Sequence, residues 1–140
     1  MSRIFWDTSL FVYFFEDYGP FSIMTKELRQ KMVARGDQLL TSTLAVGEVL
    51  VKPAERGDRV RGHQYESVIS ATAIVLPFDL EAARRFASIR KDRGIRPPDA
   101  IQLACAATAG VDMFFTNDDQ LARKQIQGIQ FIVPLSRSPI

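Results

Sequence analysis

Four carboxylates in this 140-residue chain stand where the surrounding sequence makes a carboxylate costly. Asp7 closes the run RIFWD (3–7), a short apolar stretch that reads as a buried strand, so the acid stands at the strand's carboxyl end. Asp118 follows the apolar run DMFFT (112–116) by two residues and comes to the same edge. Glu48 is the odd member of the apolar segment TLAVGEVLV (43–51). Its neighbours at i−4, i−3 and i+3 are Leu44, Ala45 and Val51, which turn it inward or set it on the border of the buried face. An unpaired carboxylate is strongly disfavoured there. Asp99 opens the segment PPDAIQLACAATA (97–109), a helix apolar nearly all round and therefore expected in the core.

Each acid also has an ordinary role open to it. Asp7 fits a turn, Asp99 a favourable charge in a first helical turn, and Asp118 the N-cap of a short helix. Glu48 has only Lys52, at i+4, as a local ion-pair partner. As a set the four would repel one another and raise each other's pKa values. A hard divalent cation removes that conflict, because Mg2+ or Mn2+ prefers oxygen ligands, keeps several waters and needs only a few carboxylates. The single histidine, His63, and single cysteine, Cys105, exclude His-pair and multi-cysteine zinc motifs and make a Cys–His catalytic pair unpromising. A carboxylate-held Mg2+ with open water positions is equipment for phosphodiester hydrolysis.

The elements that must position these acids alternate between short apolar strands and helices. Strands are expected at 3–7, 38–41, 73–76, 112–116 and 130–133. Helices are expected at 9–16 with Ser9 as N-cap, 22–35, 43–51 stopping before Pro53, 58–70, 79–93 opened by Asp79, and 97–109 with proline in its first turn. In the helix at 22–35, Ile23, Leu28, Met32 and Val33 share the apolar face, and Gly36 and Gly110 stand where C-cap glycines belong. This alternation predicts an α/β fold with a mainly parallel sheet covered on both faces, in a single domain spanning 1–140. Right-handed crossovers then gather the strands' carboxyl ends on one edge, where ligands of such sheets bind.

Composition narrows the field. The chain is 46% hydrophobic, which excludes whole-chain disorder, and 18 basic against 16 acidic residues leave no global charge from which to argue a partner. Asp7 interrupts the N-terminal apolar run, no small-residue cleavage site follows, and no stretch is long and apolar enough to span a membrane, so a cytoplasmic protein is expected. Positive charge is concentrated locally in RRFASIRKDRGIR (84–96), which leads directly into Asp99. Such a run is commonly a solvated helix face, yet it also suits phosphate contacts, with Arg93 and Arg96 nearest the acids. Arg56, Arg59 and Arg61 form a weaker second group. His63 reads as a surface helix residue, Cys105 as a small buried hydrophobe, and Phe5, Trp6 and the Phe11–Phe15 run as core.

At this point the residues match a family. The chain resembles the PIN-domain ribonucleases, in particular the VapC-like toxins of bacterial and archaeal type II toxin–antitoxin pairs. FWDTSLFVYFF is similar to the family's opening strand, with its acid, small polar residues and hydrophobic helix. TSTLAVGEVLVKP is similar to its threonine-containing segment with a glutamate on the next helix, and RPPDAIQLACAATAGVDMFFTNDDQL resembles its most specific stretch. The resemblance assigns Asp7, Glu48, Asp99 and Asp118 to the catalytic and metal-binding positions, and Thr8, Ser9 and Thr116 to supporting ones. It implies a three-layer α/β/α sandwich with strand order 3-2-1-4-5, Mg2+- or Mn2+-dependent RNA cleavage, a homodimer, and a cognate antitoxin. Two other readings stay open: a PIN-type nuclease of RNA processing or structured DNA, and a non-catalytic module whose acidic pocket grips a partner's Arg or Lys.

Overall fold

The computed structural model describes residues 1–140. Five parallel strands, β1 (Arg3–Trp6), β2 (Gln38–Ser42), β3 (Ala73–Leu76), β4 (Met113–Thr116) and β5 (Phe131–Pro134), form one sheet in the order β3-β2-β1-β4-β5. The parallel sense is that expected from the strand–helix alternation, and the strand order is that implied by the family resemblance. The helices are α1 (Thr8–Phe15), α2 (Pro20–Arg35), α3 (Thr43–Val49), α4 (Val51–Glu55), α5 (Arg59–Thr72), α6 (Leu80–Ile89) and α7 (Pro97–Ala109). Two 3-10 turns, Leu121–Arg123 and Leu135–Arg137, flank β5. No helix is long and apolar enough to cross a membrane.

Side chains of a strand alternate between faces, and here both faces are buried. Phe5 and Leu40 join α6 and α7 in one core, whereas Ile4, Trp6 and Leu39 join α1, α2 and α5 in the other. Register sets Phe5 beside Phe114 on β4, and their rings stack at 5.0 Å. The alanine-rich α7 lies close against the sheet: six consecutive residues from Gln102 to Ala107 are buried. Cys105 is among them, and His63 is exposed on α5, both as expected.

Several boundaries differ from the sequence reading, each for a local reason. Asp7, not Ser9, caps α1, its Oδ1 accepting from the Ser9 amide at 3.0 Å. The buried stripe of α2 is Ser22, Thr25, Leu28 and Met32, while Ile23 and Val33 are 60% and 63% exposed. Ser22 and Thr25 are tolerated inside because their hydroxyls donate to the carbonyls of Glu16 and Phe21, both at 2.8 Å. The helix at 43–51 breaks at Leu50, and Pro53 falls in the first turn of α4, where a missing N–H costs little. α6 ends at Ile89 rather than at 93, because Arg90 caps it and Asp92 closes a turn on the Gly94 amide at 2.9 Å.

Replacing Phe114 with Ala should cost about 3–5 kcal/mol, the range for truncating a fully buried aromatic. Urea denaturation measures it, and a loss below ~1 kcal/mol would show that the two-sided packing around β1 and β4 is not the core of the fold.

Candidate active site

The carboxyl edge of the sheet opens into a cleft of ≈300 Å³ lined by all four acids, Asp7, Glu48, Asp99 and Asp118. Asp7 follows central strand β1, and its amide donates to the Phe115 carbonyl of β4 at 3.1 Å, which pins it to the sheet. Its Oδ1 also accepts from the Ser9 hydroxyl at 2.6 Å, and the Thr116 hydroxyl supports the same carboxyl from β4. Burial nevertheless dominates and pushes the Asp7 carboxyl up to about 6, against the lowering effect of those hydrogen bonds. Asp99, in the first turn of α7, is also raised by burial. The Arg96 Nε, 3.5 Å from Asp99 Oδ2, works against that rise, while Asp118 and Glu48 add to it.

Glu48 is not turned inward. Helix α3 ends at Val49, so Val51 belongs to the next helix, is 48% exposed and does not stack on Glu48. The glutamate is exposed at the rim, where its Oε1 accepts from the Thr8 hydroxyl at 2.6 Å and more loosely from Gln102 Nε2 at 3.4 Å. Lys52 is not its partner; that ammonium donates to the Tyr18 hydroxyl at 2.9 Å. Asp118 is not the N-cap of the 3-10 turn, a position that Gln120 holds two residues later. The Asp118 Oδ1 accepts from the amides of Gln120 and Leu121 at 2.9 and 3.1 Å, and its carboxylate also lines the cleft.

Gln102 escaped the sequence reading. It lies three residues after Asp99 on the same face of α7, is buried, and accepts from the Ser42 hydroxyl at 2.6 Å while donating to Thr8 Oγ1 at 3.0 Å. One amide thus ties the N-cap of α3 to α1 and, through Thr8, to Glu48. Its signal was present: a lone long polar side chain in an apolar helix needs partners, as Glu48 did. Tyr13, read as core, also lines the cleft and accepts from Asn117 Nδ2 at 2.7 Å. Arg96 lines the cleft, but Arg93 sits on the exposed turn after α6 and lines neither the cleft nor the groove beside it. Arg56, Arg59 and Arg61 also lie outside the cleft.

Every donor around the cleft that could meet a metal is a hard oxygen, which fits Mg2+ or Mn2+. No three acidic, histidine or cysteine side chains are drawn together closely enough to hold a metal ion by themselves. A hydrated cation, taking much of its shell from water, is the kind that such a set suits.

The family model of the PIN domain matches residues 4–126, and the chain belongs to the PIN domain family. Its fold is also that of several solved structures. VapBC2 from Rickettsia felis, solved bound to a DNA fragment from its promoter, superposes with a TM-score of 0.75 at 12% identity, covering 94% of this chain and 98% of that one. A toxin–antitoxin complex from Klebsiella pneumoniae gives 0.66 at 21% identity, covering 90% and 94%. The sarcin–ricin loop cleaving toxin VapC20 of Mycobacterium tuberculosis gives 0.65 at 16% identity, covering 87% and 96%. No curated protein matches the chain by sequence.

The raised Asp7 carboxyl fixes the sign of a pH effect. An unfolded aspartate titrates near 3.9, so in metal-free protein the buried charge opposes folding fully above about 6 and not at all below about 4. Asp7→Asn keeps a good N-cap and removes the charge, so it should stabilise metal-free protein at pH 7.5 by up to about 3 kcal/mol and have no such effect at pH 4. Denaturation in EDTA across that range checks it; parallel stability profiles for the two proteins would contradict it.

Proposed function

We propose that this protein is a Mg2+- or Mn2+-dependent endoribonuclease and the toxin of a toxin–antitoxin pair. The observation that carries the proposal is the single cleft at the carboxyl edge of the sheet, where four acids meet with only Arg96 as a lining cation. Membership of the PIN domain family and a fold shared with VapBC proteins support it. Asp7, Asp99 and Asp118, with Glu48 at the rim, would hold the ion. When bound, the ion activates a water and offsets the charge that builds on the phosphate and the leaving oxygen.

The chain's own residues do the rest. Ser9 and Thr116 fix the orientation of Asp7, and the Thr8–Gln102–Ser42 chain of hydrogen bonds holds Glu48 at the rim. Arg96 is 78% exposed beside Asp99, free to turn its guanidinium to a substrate phosphate while its Nε stays near the carboxylate. Without such a cation the acidic cleft would repel the polyanion it is meant to cut. A cognate antitoxin, a homodimer and a cytoplasmic location complete the proposal. The antitoxin is supported by the toxin–antitoxin complexes that share the fold.

The test is purified protein on defined RNAs with Mg2+, Mn2+ or EDTA, mapping the cut sites and end chemistry. Cleavage should require metal, and Asp99→Asn should lower it by about a hundredfold or more, the kinetic scale of a few kcal/mol of lost charge stabilisation, with the fold intact. Metal-independent cleavage, or full activity in Asp99→Asn, would sink the proposal.

A further inference from the structure

The acid cleft does not end at Asp118. It continues into a second groove of ≈700 Å³ lined by Gly94, Arg96, Asp99, Asp118, Arg123 and Lys124, among others. Lys124 in turn lines a third groove of ≈650 Å³ along α6, with Arg84, Arg85 and Lys91. The three share walls: Arg96, Asp99 and Asp118 belong to the first and second, and Lys124 to the second and third. A trench therefore leaves the acids on one side of the sheet edge, between the turn after α6 and the 3-10 turn before β5.

Charge along this trench changes sign with distance from the centre. The acid cleft has one lining cation, Arg96. The second groove adds Arg123 and Lys124, and the third adds Arg84, Arg85 and Lys91, opposed there only by Glu81 and Asp92. Arg84, Lys91 and Arg123 take part in none of the chain's ion pairs. The other three are paired: Lys124 with Asp92 Oδ2 at 2.8 Å, Arg96 with Asp99 Oδ2 at 3.5 Å and Arg85 with Glu81 Oε1 at 3.9 Å. The opposite wall of the acid cleft offers Thr8, Ser9, Tyr13 and Asn117 and no cation, and the nearby Lys52 is bonded to the Tyr18 hydroxyl.

We propose that this trench is a one-sided phosphate track, in which the backbone of single-stranded RNA on one flank of the scissile phosphate lies against Arg123 and Lys124 and runs on toward Lys91 and Arg84. The proposal rests on the nuclease reading and adds to it which flank of the substrate the protein grips and with which residues. Cations lining a groove, the unpaired Arg123, Lys91 and Arg84 above all, offer sequence-independent affinity, because each phosphate they neutralise releases condensed counterions. The side chains are exposed or half-exposed and lie outside both cores, so they can be replaced without disturbing the fold. The Asp92–Lys124 pair makes the track adjustable, since Asp92 both draws Lys124 back and adds negative charge to the trench wall.

The experiment uses single-stranded RNAs that share one mapped cut site and are shortened stepwise from the 5′ or the 3′ end. Binding is measured at several salt concentrations in Ca2+, which slows turnover. Shortening from one end should weaken binding, and shortening from the other should not. In Arg123→Ala/Lys124→Ala that one-ended dependence should vanish, and the slope of log affinity against log salt should fall by roughly 1.4, at about 0.7 per lost contact to a single strand. Cut sites should stay the same, with KM rising more than kcat falls. Asp92→Asn should act in the opposite direction and tighten binding. Equal dependence on both ends with an unchanged slope in the double variant would overturn the track. So would a double variant that binds RNA normally and loses a protein partner. Failure of wild-type protein to cut the longest RNA with Mg2+ or Mn2+ is a different result: it overturns the nuclease reading, and the track falls with it.

Discussion

The burial of one carboxylate at the end of the central strand governs the architecture of this protein. β1 is paired on both sides, and Phe5 and Trp6 are sunk in opposite cores, so the half-buried Asp7 is held in place where the cleft begins. The fold meets part of that cost with Ser9, Thr116 and the α1 N-cap geometry, but not all of it, and the carboxyl is left raised to about 6. Every other feature of the site is arranged around this fixed acid. Asp99 arrives on the first turn of α7, Asp118 on the turn after β4, and Glu48 on a short helix that reaches only the rim.

The second organising element is Gln102, an uncharged side chain whose amide is taken up by its neighbours. Its amide joins Ser42, Thr8 and Glu48, so three helices are registered to one another by hydrogen bonds among polar groups that burial would otherwise penalise. A fully satisfied network of this kind rigidifies, which suits a site that must hold like charges near one another. The balance of charge then passes outward: acids at the centre, Arg96 at the lip, and an excess of cations beyond it.

Much of this was legible in the sequence because buried parallel strands leave little freedom. RIFWD and DMFFT could only be interior, and an acid at the end of each had to reach the same edge. The strand order came from the family resemblance. What escaped depended on where helices stop. The break at Leu50 took Val51 out of the helix that carries Glu48, which stands exposed at the rim, and the end of α6 at Ile89 left Arg93 on an exposed turn outside the site. Helix ends turn on single caps and turns, which local patterns of apolar residues do not resolve. The stripe of α2 was misread because the Ser22 hydroxyl is satisfied by the Glu16 carbonyl before the helix and the Thr25 hydroxyl by the Phe21 carbonyl within it, so polar residues took places that hydrophobicity assigned to Ile23 and Val33. Arg123 and Lys124 were passed over because they carry no local pattern; only the fold brings them beside Asp118.

The central claim is that Asp7, half-buried at the end of β1, is held there in position to bind a divalent cation. The most direct test is the titration of its carboxyl carbon by NMR in uniformly 13C-labelled protein, with and without Mg2+. The account predicts a midpoint near 6 in metal-free protein and a midpoint at or below the ordinary aspartate value, about 3.9, when Mg2+ is present. A midpoint that Mg2+ and Mn2+ both leave unmoved would contradict it.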